Sequence, residues 1–251
     1  MRRKLFLLVF LAIFLQVACF GAKFSFAVFG DNRDGEAVFA DIIKKVNKDK
    51  DIKFVMNTGD FTSSGSDLEY EKYWQMAKSC NVKIYDAIGN HDLGLFNVGQ
   101  RIFKKKYGET YYYFDQNDSR FIVLDNARSK GMGRKQLSWL KDVLDTKKSK
   151  FVFMHKPLFD PTGTYPNYVM TPKADNEALN KLLIKAKVRY VFSGHIHGYG
   201  REERGGVVYI ITAGSGAPLY LPAFNGGFYH YVKVTVDGPK ISDEVVKVYN
   251  D

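Results

Sequence analysis

Gly89-Asn90-His91-Asp92 is the stretch on which the fold turns. It follows 82–88, a short apolar run of strand character, and it places a carboxamide, an imidazole and a carboxylate within four residues. The glycine in front lets the backbone turn tightly and come close to whatever those side chains hold. The same arrangement recurs on both sides. The apolar run 24–29 ends in Gly30-Asp31, and 52–56 ends near Gly59-Asp60. Further on, 151–154 ends at His155, and 188–192 ends at Gly194-His195-Ile196-His197.

Helical stretches separate these strands. In 36–47, Val38, Phe39, Ile42, Ile43 and Val46 fall on one helical face. The segments 67–79, 136–144 and 173–186 also read as helices. The runs 111–114 and 121–124 pair around a turn at 116–119, 207–212 is a further strand, and 229–236 with 241–248 close the chain as a hairpin around Asp237-Gly238. The pattern is β-α-β with added antiparallel strands, an α/β (α+β) class. Such units collect polar and catalytic residues in loops beyond the C-terminal ends of their strands. Every polar cluster named above falls at such an end.

Taken singly, the pieces are ordinary. A Gly-Asp pair after a strand is usually a turn, and a lone His is more often structural than a ligand. Their joint placement carries the inference. The chain has five histidines; His91, His155, His195 and His197 follow strands, as do Asp31, Asp60, Asn90 and Asp92. Imidazole, carboxylate and carboxamide donors without a thiolate set suit Zn, Fe, Mn or similar divalent ions. His230, within an alternating strand, reads as structural. The glycine-rich 214–218 is either a loop beside the site or a plain turn, with nothing to choose between them. In the Pro-, Gly- and Tyr-containing loop 157–172, Tyr165 and Tyr168 either wall a pocket for an organic group or are merely exposed.

In this order, Gly30-Asp31-Asn32-Arg33, Gly59-Asp60, Gly89-Asn90-His91-Asp92, His155 and Gly194-His195-Ile196-His197 resemble the blocks of the calcineurin-like metallophosphoesterases. The resemblance spans 24–218. It implies a four-layer fold, a two-sheet β-sandwich flanked by helices, with two divalent metal ions at one edge and hydrolysis of phosphate esters as the activity. It implies that Asp60 bridges both ions, that Asn90, His155 and His195 complete one site, and that Asp31 and His197 hold the other. His91 would protonate the leaving group or stabilise phosphoryl charge, with Asp92 orienting it. One position departs from the pattern. The first block commonly reads Asp-x-His, and here Arg33 stands in place of the His. A guanidinium stays protonated and is no ordinary ligand. Either the first ion keeps Asp31, Asp60, His197 and water, or Arg33 contacts a phosphate oxygen, or the first site is weak. The site of Asp60, Asn90, His155 and His195 is therefore expected to bind more tightly. Purple acid phosphatases, relatives within the family, place a Tyr three residues after the bridging Asp; here that residue is Ser63, so a purple tyrosinate-iron colour is not expected.

The chain begins with Arg2, Arg3 and Lys4 ahead of an almost unbroken apolar run, 5–18. That run is short for a bilayer span and suits a signal peptide over 1–22. Val17-Ala18-Cys19 resembles the end of a lipobox, which would make Cys19 a lipid anchor; cleavage near Gly21 or Ala22 is the other ending. The expected localisation is therefore exported, with 23–251 as a single domain. Cys80 is the one thiol left beyond Cys19, too few for an internal disulfide. The net charge of +10 favours anionic ligands, yet the lysines are dispersed and give no nucleic-acid signature. The expected partner is a small-molecule phosphate ester, monoester or diester. A competing reading, an exported phosphate-ligand-binding protein on a decayed enzyme scaffold, takes Arg33 as the first sign of decay. Oligomeric state leaves no trace in the sequence.

Overall fold

The computed structural model describes residues 22–249. The apolar leader and Cys19 lie outside the described residues. Among the described residues, eleven strands form two sheets. The first holds β1 (Phe24–Phe29), β2 (Ile52–Asn57), β3 (Lys83–Asp86), β10 (His230–Asp237) and β11 (Lys240–Lys247) in the order β11-β10-β1-β2-β3. The second holds β4 (Tyr112–Gln116), β5 (Ser119–Val123), β6 (Ser149–Phe153), β7 (Tyr190–Ser193), β8 (Tyr199–Arg204) and β9 (Val207–Thr212) in the order β4-β5-β6-β7-β9-β8. β1-β2-β3 and β5-β6-β7-β9 run parallel; antiparallel strands flank the second set on both sides, while in the first sheet they lie beyond β1 only and β3 forms the edge.

The period of two in β1 explains the layering. Phe24, Phe26 and Val28 point into the interface between the sheets, where they meet Phe54, Phe121, Phe151, Phe153 and Phe192. Phe26 lies 5.4 Å from the Phe54 ring and 5.1 Å from Phe121, the second contact edge-on. Ala27 and Phe29 face the other way, onto α1 (Glu36–Lys48), α2 (Asp67–Ala77) and α3 (Val98–Tyr107). On the far side, α4 (Gly133–Leu144) and α5 (Lys173–Lys185) cover the second sheet through Leu140, Val143, Leu179 and Leu183. The four layers of helix, sheet, sheet and helix match the expected architecture. Because both faces of β1 are buried, its sequence is a near-continuous apolar run. Truncating Phe26 to Ala would cost about 3–5 kcal/mol.

Two elements escaped the sequence reading. Helix α3 is entered through Phe96 and Asn97, both at positive φ, and buries only Gly99 and Phe103. Strand β8 is a charged edge strand with no alternation to betray it. Helix α2 starts where Ser66 and Glu69 form a reciprocal capping box.

The parallel strands of both sheets point their C-terminal ends at one rim. The first sheet brings Asp31 after β1, Asp60 after β2 and Asn90 after β3. The second brings His155 after β6 and His195 and His197 after β7.

Candidate metal centre

The strand ends deliver their side chains through strained backbone. Asp31, Asp60 and His195 have φ of 58°, 57° and 71°, a region that side-chain-bearing residues seldom occupy. Strain of this kind gathers at functional sites. Two neighbouring glycines make room for it. A Cβ on Gly89 would stand 2.1 Å from Asp60 Oδ1, and one on Gly194 would stand 2.2 Å from Asp31 Oδ2.

His155 sits at the middle, fully buried. Its Nδ1 lies 3.0 Å from the Thr58 carbonyl, which can only accept, so Nδ1 carries a hydrogen and Nε2 faces the centre. Around that Nε2 stand Asn90 Oδ1 at 3.0 Å, His195 Nδ1 at 3.2 Å and Asp60 Oδ2 at 3.3 Å. The donor atoms of Asp60, His155 and His195 all fall within 4.8 Å of one another. Ligands held tetrahedrally at ~2.0–2.1 Å from an ion lie roughly 3.3 Å apart. The observed spacings therefore fit a divalent cation.

A smaller group lies beside it. His197 Nδ1 donates to the Pro218 carbonyl at 2.7 Å, which leaves Nε2 turned toward Asp31 Oδ1 at 3.3 Å. An imidazole nitrogen and a carboxylate oxygen facing each other are again a pair of donor atoms suited to a cation. Asp31 also accepts the His195 backbone N–H at 3.0 Å, which ties the two groups together. The 214–218 loop belongs to this site. Besides Pro218, its Ala217 N–H donates to the Asp31 carbonyl at 2.8 Å, and Ser215 Oγ accepts from Gly30 N at 3.3 Å.

Protonation in the metal-free chain follows from burial and charge. Burial opposes a charge on His155, but the Asp60 carboxylate and its hydrogen bond overcome this and raise the imidazole to about 9. Burial likewise pushes Asp60 up, and the positive charge on His155 more than offsets it, so the carboxyl is held far below its usual range. His195, buried next to a charged His155, is depressed to about 3.

His91 and Asp92 do not form the pair expected from the resemblance. The His91 ring is oriented by the Ser63 carbonyl, 2.8 Å from Nδ1, while Nε2 opens to the rim 4.0 Å from Asp60 Oδ2. Asp92 is fully buried, and backbone donors occupy both its oxygens. It accepts from the N–H groups of Asp60, Phe61, Thr62 and Gly89 at 2.8–3.0 Å and from Thr62 Oγ1 at 2.9 Å. Burial and the Asp60 charge push it up to about 7 against those donors. Its role is to clamp the loop bearing Asp60 onto the loop bearing Asn90 and His91. Arg33, for which a phosphate contact was one of three readings, is engaged by a neighbouring side chain. Its Nη1 pairs with Asp34, and its buried Nε–H has no acceptor among the described residues. Ser63, at the position of the purple-enzyme tyrosine, spends its hydroxyl on Asp34.

Sequence reasoning missed Asn126. This buried residue follows β5, and its Oδ1 accepts the backbone N–H groups of His155 and Lys156, each at 3.0 Å. Asp125-Asn126 after a strand was the available signal. His230 is a buried strand residue packed on Tyr199 and Phe228, as its alternating context suggested.

Known proteins share this layout. Mouse serine/threonine-protein phosphatase CPPED1 is 32% identical over 126 residues, which are 43% of this chain and 39% of that protein. This chain thus spans about two-fifths of that relative's length. A purple acid phosphatase from yellow lupin superimposes with a TM-score of 0.75 at 17% identity, over 90% of this chain and 52% of the lupin chain. A dimetal phosphatase from Danio rerio superimposes with a TM-score of 0.69 at 16% identity, over 90% of this chain and 99% of the other. At such identities the superpositions speak for the fold. The calcineurin-like phosphoesterase family itself matches residues 24–199, which take in β1 and every strand end that supplies a donor, and the chain is therefore a member of that family.

Proposed function

We propose that this protein hydrolyses phosphate esters at a centre of two divalent metal ions. The observation that carries the proposal is the convergence of Asp60, Asn90, His155 and His195 donor atoms on one point, with the outer nitrogen of His155 pinned by a backbone carbonyl. Fixing a metal-ligating imidazole through its other ring nitrogen is a general device for setting tautomer and orientation. Divalent ions held there supply Lewis acidity and make water acidic enough to ionise near neutral pH.

The chain's own groups do the rest. Asp60, Asn90, His155 and His195 would hold one ion, and Asp31, Asp60 and His197 would hold the other. His91 keeps its Nδ1–H on Ser63 and presents Nε2 to the rim, where a proton on that atom passes to the departing oxygen. Asp92 acts through backbone, fixing the loops that carry Asp60 and His91. Arg33, held by Asp34, keeps positive charge beside the weaker half without ligating an ion. The decayed-scaffold reading finds no support, because the other candidate ligands converge.

Metal analysis of protein purified without chelator, with a panel of monoesters and diesters, tests this reading. Turnover that depends on Mn, Zn or Fe and is lost in Asn90→Ala and His91→Ala is the expected result. A metal-free protein inert toward every ester would overturn it. We also infer export, with 1–22 removed as a signal peptide or Cys19 lipidated; the mass of the mature chain distinguishes the two endings. Among the described residues, no helix is long and apolar enough to cross a membrane.

A further inference from the structure

Three tyrosines stand beside the metal centre, and no role described so far uses them. Tyr165 and Tyr168 come from the loop between β6 and α5, and Tyr220 from the loop after β9. The Tyr220 ring stacks on the His197 imidazole, centroids 3.9 Å and planes 18° apart. The Tyr168 ring lies 6.0 Å from that of His195. The tyrosines also touch one another, with centroid distances of 5.3, 6.0 and 6.4 Å. Despite this packing, Tyr168 and Tyr220 remain exposed.

The loops are held in place. Asp160 accepts from the backbone N–H groups of Thr162 and Tyr165 at 2.8 and 2.7 Å. Asn225 Nδ2 donates to Thr164 Oγ1 at 2.9 Å, bridging the two loops. Tyr165 Oη donates to the Tyr220 carbonyl at 3.2 Å, and Tyr220 N–H donates to the His197 carbonyl at 2.9 Å. The backbone that carries these rings is thus held before any ligand arrives, which lowers the ordering cost of binding.

We propose that Tyr168 and Tyr220 form a subsite for the organic part of the substrate and select phosphate esters that carry a planar aromatic group. The proposal rests on the phosphoesterase reading, since the ions fix the phosphate next to the wall. Aromatic rings attract other rings in offset or edge-on contact, beyond what area burial alone gives. A quaternary ammonium calls for rings set around an open space. These rings close on one another and leave a wall with no gap between them. A base carried on a sugar and a ring next to the phosphate share this chemistry.

The test is calorimetry of benzylphosphonate and ethylphosphonate on the metal-loaded protein, with kinetics on benzyl and ethyl phosphate. Tyr168→Ala is the main variant, because Tyr220 lies on a candidate ligand. We expect benzylphosphonate to bind about tenfold tighter than ethylphosphonate, in line with one ring contact. Tyr168→Ala should remove that preference and raise KM for benzyl phosphate at unchanged kcat, and Tyr168→Phe should restore both. Adenosine 5′-monophosphate against benzyl phosphate then tells which source of planar group fits better. Equal binding of the two phosphonates, equal losses for both in Tyr168→Ala, or a preference for choline phosphate would overturn the proposal. A phosphonate preference without hydrolysis of any ester would leave the subsite standing and remove the hydrolase reading.

Discussion

The half-site of Asp60, Asn90, His155 and His195 and the half-site of Asp31 and His197 use the same device with unequal results. In both, a histidine gives its Nδ1–H to a backbone carbonyl and turns Nε2 inward. In the first, that nitrogen meets a carboxylate, a carboxamide and a second imidazole within 3.3 Å. In the second it meets one carboxylate oxygen at 3.3 Å. The residue that would complete the second half is Arg33, whose guanidinium turns to Asp34. The proposal that the first half binds its ion more tightly therefore rests on the number of donors, rather than on how firmly each is held.

The largest effect should come from His155→Ala. Losing the central ligand should cost several kcal/mol of transition-state stabilisation, about 10³-fold in kcat/KM, and should remove the tightly held ion. His197→Ala should cost less and leave one ion per chain in elemental analysis. If both variants lose the same metal, the asymmetry is wrong. Next comes His91→Ala, with an expected loss of about 10²-fold in rate at unchanged metal content, the lower end for removal of a proton donor. Metal loss in that variant would make His91 a ligand instead.

Asp92→Asn should show mainly in stability. Its carboxylate serves five donors, and an amide cannot accept them all, so unfolding should become easier by about 1–3 kcal/mol. A rate loss without a fall in Tm would restore Asp92 to the chemistry. The smallest and sharpest test is Arg33→His. It supplies the missing imidazole and should tighten the second ion on the order of tenfold, about 1.4 kcal/mol. No tightening in a metal titration would show that position 33 does not face that ion.

The donors were legible because each is a side-chain type placed just beyond an apolar run. Strand, glycine and ligand are local, and the parallel sheets convert that local order into convergence. The partners that set their tautomers were not legible. Thr58, Ser63 and Pro218 contribute carbonyl oxygens, which every residue has. Asp92 was legible as a polar residue, but its direction was not, since four backbone N–H groups claim it only after the loops have folded. Tyr220 gave no signal because its contact with His197 joins loops from different strands. Strand β8 was missed because a charged edge strand carries almost no hydrophobic alternation. Helix α3 does set its apolar residues on one face, but it is short and is entered through Phe96 and Asn97 at positive φ, with no side-chain cap to mark its start.

The rim draws on both layers of the sandwich, with Asp31, Asp60 and Asn90 from one sheet and His155, His195 and His197 from the other. An ion seated between them is a rivet through the two plates as well as a reagent. Ions that bind only the folded chain at a thousand times their dissociation constant would add about 4 kcal/mol against unfolding. Chelation should therefore lower the melting temperature and loosen amide protection first at the strand ends along this rim. Growth conditions poor in metal would then limit how long the protein survives as well as how fast it works.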